Sequence, residues 1–456
     1  MKWNYWMKMK HPEGHKFSKK MKRIFILLFS LIFIKVQAQD TLSVEQAIAN
    51  ALRNNYDILL VKNDSAAFAL DYKFANAAFL PRLNGTGSQV WNKNAQRQTL
   101  ADGTKRENDN IQARNFATAI NLNWTIFDGL RMFATRDKLE EFQVLGELQV
   151  RNQVVNTVAA VINNYYNIVQ SKQQLKALAE QISINEERVK LADRKLTVGL
   201  GSKPELLQAT VDLNAQKAAQ LRQETLVAQL REQLNQLMGQ PVVTMYDVSD
   251  SIPINLDLQY GVLTTSLETS SPALQLARKN IDIAALSVKE RKAELWPTVS
   301  FNTAYNFSRN NNQAVINPFQ PLFSLNRGLN YGLSATVPIL NGFNTRRLIR
   351  QAKLDVEYQQ LVYKNQLSLL DVNINNAYKD YQYQIRALQL EEENIELAKE
   401  NVFIALERFR QGVSTYLELR EAQISLSESY NRLIAARYNT KVAETELLRL
   451  KGEMVR

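Results

Sequence analysis

Apolar side chains recur every seven residues through the second half of this chain. Leu388, Ile395, Val402 and Phe409 keep that spacing, and after a turn at Gly412-Val413-Ser414 so do Leu419, Leu426 and Leu433. Residues 343–452 hold no Pro, and the only Gly before Gly452 is Gly412. A seven-residue period keeps one apolar seam turned toward a partner helix, so the pattern predicts a coiled-coil hairpin. Its first arm would reach roughly 100 Å at 1.5 Å per residue.

The same pattern occurs earlier. Leu175, Ile182, Val189 and Leu196 lie 213 positions before the first seam, and Gly199, Ser202, Glu205, Ala209 and Gly239 stand in for Gly412, Thr415, Glu418, Ala422 and Gly452. Asp128-Gly129 answers Asn341-Gly342; upstream the offset becomes 216, where Pro81 answers Pro297 and Asn55 answers Ser271. The chain therefore reads as two copies of one unit, with the length difference placed in a loop. The first copy spans 39–240, with a long hairpin over 130–238. A linker follows at 241–270, placed beside the helices near mid-length, and the second copy spans 271–456, with its hairpin over 343–452.

Shorter helices precede the prolines. Ser43 with Gln46 forms a capping box for a helix to about Arg53. Asn55 caps a second helix to about Phe79, and Ser271-Pro272 opens its counterpart. Beyond each Pro the apolar period becomes two. Val299, Phe301, Tyr305 and Phe307 oppose Ser300, Asn302, Ala304, Asn306 and Ser308; Tyr331, Leu333, Ala335, Val337 and Ile339 oppose Asn330, Gly332, Ser334 and Thr336; Ile120, Leu122, Trp124 and Ile126 oppose Asn121, Asn123 and Thr125. Strands are expected at about 82–91, 117–127, 298–308 and 330–340, each pair joined by a long polar loop at 92–116 or 309–327. Strands of about ten residues with one aromatic-rich face and one neutral polar face suit a membrane barrel. Four strands cannot close a barrel of useful bore, so copies of the chain are expected to share one.

Charge changes the picture only after the first 38 residues are set aside. Lys22-Arg23, an apolar run over 24–34 and Val36-Gln37-Ala38 read as a signal peptide, with Met1 or Met21 as the start. That leader carries nine of the 56 Lys and Arg residues and one of the 45 acids, which leaves 47 against 44, a net of +3 in place of +11. The basic balance then gives no support to a nucleic-acid partner. Both His residues, His11 and His15, lie in the leader and the chain has no Cys. These absences exclude a Cys/His metal site, a thiol nucleophile and a Ser-His-Asp triad. Gly85-Thr86-Gly87 lacks the third glycine and following helix of a phosphate loop. No enzyme, cofactor or metal is expected. A periplasmic adaptor also carries a coiled-coil hairpin, but normally one, with compact β-domains.

The ordered set of helix, Pro, strand, loop, strand, Asp/Asn-Gly, long helix, Gly turn and helix, occurring twice, resembles the TolC-like outer membrane efflux protein family. The hairpin tips Thr197-Val198-Gly199-Leu200 and Gln411-Gly412-Val413-Ser414-Thr415-Tyr416-Leu417-Glu418-Leu419 carry the likeness. The resemblance implies a mainly α chain with a β-barrel segment, assembled as a homotrimer. Three chains would make a twelve-stranded barrel in the outer membrane and a helical tunnel in the periplasm. The whole would be a passive exit duct for a tripartite efflux or type I secretion system. It implies an adaptor protein and an inner-membrane pump as partners, with Val198, Gly199, Leu200, Gly412, Val413 and Ser414 at the adaptor contact. It also places Glu418 and Glu421 in an acidic ring at the periplasmic gate, although Thr415-x-x-Glu418, like Ser202-x-x-Glu205, is equally a capping box. Family members can hold the gate closed with a tyrosine and an arginine. The matching positions here are Phe409 and Ser414, so that latch is absent or built from residues such as Arg408 or Arg410.

Overall fold

The computed structural model describes residues 41–454 apart from 266 and 318; the leader reading lies outside the described residues. In chain order the elements are β1 (Thr41–Leu42), α1 (Val44–Asn54), α2 (Tyr56–Lys73), a 3-10 turn (Ala75–Phe79), β2 (Arg82–Thr99), β3 (Lys105–Phe127), α3 (Arg131–Thr197) and α4 (Lys203–Leu237). Then come β4 (Asp247–Val248), α5 (Tyr260–Thr264), α6 (Leu267–Ser270), α7 (Pro272–Ala293), β5 (Thr298–Asn312), β6 (Phe323–Thr336), α8 (Asn344–Arg410) and α9 (Tyr416–Lys451). α3 and α8 each run 67 residues, about 100 Å at 1.5 Å per residue. No helix of the described residues is apolar and long enough to cross a membrane.

The four long strands form one antiparallel sheet in the order β2-β3-β5-β6. They run well beyond the expected ten residues, and much of the segments read as loops at 92–116 and 309–327 is strand. Ladder bonds are backbone bonds, so a polar stretch extends the hairpin wherever cross-strand pairs suit it. Arg97 faces Glu107 in register and pairs with it. β6 stops at Thr336, short of the expected 340, because Pro338 has no N–H to donate. The helix opened by Asn55 stops at Lys73 and tightens into the 3-10 turn before Pro81.

Successive residues face opposite sides, so the register sorts the sheet into two surfaces. One carries Leu122, Trp124, Phe301, Tyr305, Tyr331 and Leu333. The other carries Asn84, Asn121, Asn123, Asn302, Asn306 and Asn330, tied by bonds such as Asn302 Nδ2 to Ser334 Oγ at 3.0 Å and Asn306 Nδ2 to Asn330 Oδ1 at 3.2 Å.

The helices continue the sheet as a layer. α3 touches α2 and α7 near the sheet and α4 and α9 further away, while α8 lies against α7 and then α9. At each sheet-to-helix junction a non-glycine residue takes a left-handed conformation, Leu130 (φ 69°) and Phe343 (φ 62°). Each follows a left-handed glycine, so two such residues in succession turn the chain into its long helix. Asp128 accepts from the Met132 amide at 3.1 Å below the first junction.

The α8–α9 seam forms as the period requires: Leu388, Ile395, Val402, Phe409, Leu419, Leu426 and Leu433 are all buried. In the first copy only Ile182 is buried, and Leu175, Val189 and Leu196 are half-buried. There α3 turns Gln181, Asn185 and Arg188 inward instead, against α9 and α4. The capping box at Ser43 forms in full and Thr415 caps α9, but Ser202 makes no side-chain cap bond.

Residues between the copies pack at mid-height. β4 pairs in parallel with β1, and Lys172 binds Asp247 at 2.7 Å and Asp250 at 2.9 Å. Tyr165 donates to the Leu42 carbonyl at 2.7 Å, and Tyr381 donates to that of Asn255. The C-terminal end of α4 closes against the α1–α2 corner, where Asn55 Nδ2 donates to Leu237 O at 2.9 Å.

That corner makes a test. Gly239 has φ +64°, and a Cβ there would lie 2.3 Å from the Asn54 carbonyl oxygen; Gly412 has φ +75° with open space around it. Gly412→Ala is expected to cost about 1–2 kcal/mol, the left-handed penalty alone. Gly239→Ala is expected to cost clearly more, since the corner must also shift. Unfolding midpoints followed by circular dichroism check this, and equal losses would contradict it.

Candidate functional site: the hairpin tips

Both hairpins turn the same way. Gly199 and Gly412 have φ +75°, and Leu200 N–H to Lys195 O (2.8 Å) matches Val413 N–H to Arg408 O (2.9 Å), the six-to-one bond that satisfies a helix's last carbonyls. The turns leave apolar side chains in solvent: Val198, Leu200 (82% exposed), Val413 and Leu417. Of the six residues expected at an adaptor contact, Ser414 alone is half-buried; the other five are exposed.

Glu418 and Glu421 are both exposed on α9, and neither has an ion-pair partner among the described residues. The Glu418 amide donates to the Thr415 hydroxyl at 3.3 Å, so the cap forms through the backbone while the carboxylate stays free. Arg420, between them, is drawn to the other hairpin, its Nε 3.2 Å from Asp212 Oδ2 on α4.

Asp212 is the centre of a network that sequence reasoning missed. Arg188 on α3 reaches it at 2.7 Å, Gln208 donates to its other oxygen at 2.9 Å, and the Tyr416 hydroxyl donates at 3.3 Å. Arg188 also donates to Gln423 Oε1 at 2.9 Å and lies over the Tyr416 ring, 5.2 Å from its centroid. A cleft of about 310 Å³ between the hairpins is lined by Arg188, Asp212, Arg420 and Gln423 with Gln181, Asn185 and Ser427. Burial pushes the Asp212 carboxyl up, but the hydrogen bonds from Gln208 and Arg420 and the charge of Arg188 outweigh it and hold the pKa below the ordinary value. Burial pushes the Tyr416 phenol up, which keeps it a donor.

Two further ties join the tips. Arg410 binds Glu187 on α3 at 2.7 Å and Glu407 at 2.8 Å, and Lys195 sits 3.6 Å from the Phe409 ring centroid. Arg410 is among the residues the sequence offers in place of a polar latch; Asp212 is not, because position 212 lies three turns from the tip and reads as a solvated helix charge. The signal available was a repeat difference: Asp212 answers Ser425, and Arg188 answers Asn401.

An open sheet with an aromatic apolar face, set on helices about 100 Å long that end in tied hairpins, defines the class of outer-membrane channel proteins with a periplasmic helical tunnel. The chain belongs to the outer membrane efflux protein family, which it matches over residues 47–240 and 263–453. It is an outer-membrane exit duct for efflux, with its helices in the periplasm. It is 22% identical over 420 residues to the probable efflux pump outer membrane protein TtgC of Pseudomonas putida, covering 90% of this chain and 83% of that one. It is also 22% identical to the cation efflux system protein CusC of Escherichia coli, over 431 residues, 90% of this chain and 86% of that one. The fold matches the CmeC outer membrane channel of Campylobacter jejuni with a TM-score of 0.75 at 15% identity, covering 99% and 95% of the two chains.

The Asp212 network supplies a prediction. Its pKa is lowered on folding, so its contribution is present above the unfolded value near 4 and lost as pH falls through the folded one. Removing Asp212 strands Arg188, whose side chain is 4% exposed, at a cost of about 3 kcal/mol. Spin labels on Leu200→Cys and Val413→Cys, in a chain with no native Cys, should report a tip distance that is constant from about pH 8 to 5. It should broaden below about pH 4 in the parent and at all pH values in Asp212→Ala.

Proposed function

We propose that three copies of this chain close into one twelve-stranded barrel above one helical tunnel. The observation that carries the reading is the pair of open edges. β2 and β6 are the outer strands of the sheet, 18 and 14 residues long, and each has a neighbour on one side only. In lipid an unpaired edge costs several kcal/mol per backbone group, so the edges must meet other copies. Two copies would give eight strands, whose side chains fill the bore; three is the smallest ring that leaves a duct. Twelve strands about 4.8 Å apart and tilted about 40° give a wall about 24 Å across.

The helices support the same ring. Tyr383, Leu390, Leu397 and Ile404 on α8 recur every seven residues and are exposed. They lie about 200° around the helix from the Leu388 seam. A helix apolar on two opposed faces sits between two neighbours. Leu207, Val211 and Leu221 on α4, at the other margin of the layer, are exposed as well.

The tips take the partner and the gate. An adaptor protein linked to an inner-membrane pump covers Val198, Gly199, Leu200, Gly412, Val413 and Ser414, where the exposed apolar side chains of Val198, Leu200 and Val413 need a protein surface. Glu418 and Glu421, three copies each, form an acidic ring that favours cations. The Asp212 network and the Arg410–Glu187 pair hold the hairpins together when the duct is closed. The cargo is whatever the pump selects, in an efflux or type I secretion system.

Two measurements test this. Light scattering on the purified chain should give three times the protomer mass, and Leu390→Glu with Leu397→Glu should shift it toward monomer; an unchanged mass would remove α8 from the interface. In planar bilayers the parent should show discrete cation-preferring conductance, weakened in Glu418→Gln/Glu421→Gln. Conductance that ignores those substitutions would reduce both glutamates to solvated helix charges.

A further inference from the structure

The paired length of the sheet below the register shift at Asn94 and Gln96 contains five basic residues and no acidic one: Arg82, Lys93, Arg114, Arg309 and Arg327. Arg82 is on the polar face. The other four share the apolar face, one on each strand, and all are exposed. Their register is regular. Arg327 lies opposite Phe307, Arg309 opposite Phe116, and Arg114 opposite Trp91, with Lys93 two residues beyond Trp91. Each step to the next strand rises by one residue pair, so the four form a single oblique row with Cα atoms about 8 Å apart.

The height of that row is informative. From Val299 to Arg309 the strand advances ten residues, about 33 Å. At a tilt of about 40° this is about 25 Å along the membrane normal, the height of an apolar barrel band. The row therefore marks the outer edge of the lipid-facing band, at the end remote from the helices. A charge wholly within the band would be costly.

Among the described residues these four cations have no acidic partner. Arg309 lies over the Phe323 ring, 5.6 Å from its centroid, and Lys93, Arg114 and Arg327 make no side-chain bond. Further out, Arg97 is paired with Glu107 and Arg106 donates to the Ile316 carbonyl at 3.3 Å, while Lys105 has no ion pair among the described residues. Trp91, Phe116 and Phe323 sit among the four cations on the same face.

We propose that this row is a docking surface for phosphorylated glycolipid of the outer leaflet of the outer membrane. Arginine forks match phosphate oxygens, and the apolar band beneath continues to the acyl chains. The inference rests on the barrel reading above.

The test uses the full mature chain in detergent. Thermal unfolding and tryptophan fluorescence are followed with diphosphoryl lipid A, with the same lipid stripped of both phosphates, and with inorganic phosphate. The parent should be stabilised by the diphosphoryl lipid alone. Replacing Lys93, Arg114, Arg309 and Arg327 together with Gln should weaken half-saturation by about fivefold per cation. If the fourfold variant does not fold, Arg114→Gln and Arg309→Gln singly should each show that loss. Equal stabilisation of parent and variant, by the stripped lipid, or by free phosphate would overturn the proposal. Conductance in a planar bilayer separates the two readings. A variant that conducts like the parent while the lipid effect is unchanged removes only the docking surface. A parent that never inserts removes the barrel itself.

Discussion

Everything in this molecule follows from one requirement: a backbone in lipid must pair all its N–H and C=O groups. The four-stranded sheet meets that requirement in its interior and fails at both edges. The chain on its own is therefore an unfinished object, and its helices are unfinished in the same way. The layer beneath the sheet ends in α8 on one side, which keeps a full apolar seam in solvent. Strand edges and helix seams ask for the same neighbour, so in the proposed trimer the barrel and the tunnel would close by one act of assembly.

The junctions make that shared closure possible. Leu130 and Phe343 each take a left-handed conformation immediately after a glycine and immediately before a helix of 67 residues, so the chain turns into each long helix at a fixed point. A flexible connection would let the sheet and the helices choose different curvatures. A fixed one carries the geometry of the sheet into the layer beneath.

How much could be read from the sequence follows from how each feature is encoded. Seven-residue spacing identified the seam from Leu388 to Phe409, because burial of a repeated position leaves a repeated signal. The second seam on α8, from Tyr383 to Ile404, has the same period and was hidden by the first. The polar halves of the strands were read as loops, because a ladder held by backbone bonds and pairs such as Arg97 with Glu107 carries no apolar alternation. Asp212 was illegible for another reason. It meets Arg188 when α3 and α4 of its own hairpin close, and Tyr416 and Arg420 only after two hairpins more than 200 residues apart in the chain lie side by side; no local spacing encodes that meeting.

Charge is distributed along the axis with the same economy. Apart from Val90 and Ile111, the polar face of the sheet presents Asn, Ser, Thr and small residues, and Arg82 at its helical end is its only charge over the paired length below the register shift between Asn94 and Gln96. If this face lines the water-filled bore of the proposed barrel, its amides and hydroxyls would raise little barrier to a cation or an anion, since exposed charges interact weakly in water. The free carboxylates of Glu418 and Glu421 stand at the opposite end of the molecule, close to the ties that hold the hairpins together. In the proposed trimer any discrimination the duct exerts would therefore belong at the tips, where a narrow opening would bring charges close together. The wide end has only to remain open and embedded, and its side chains are suited to both.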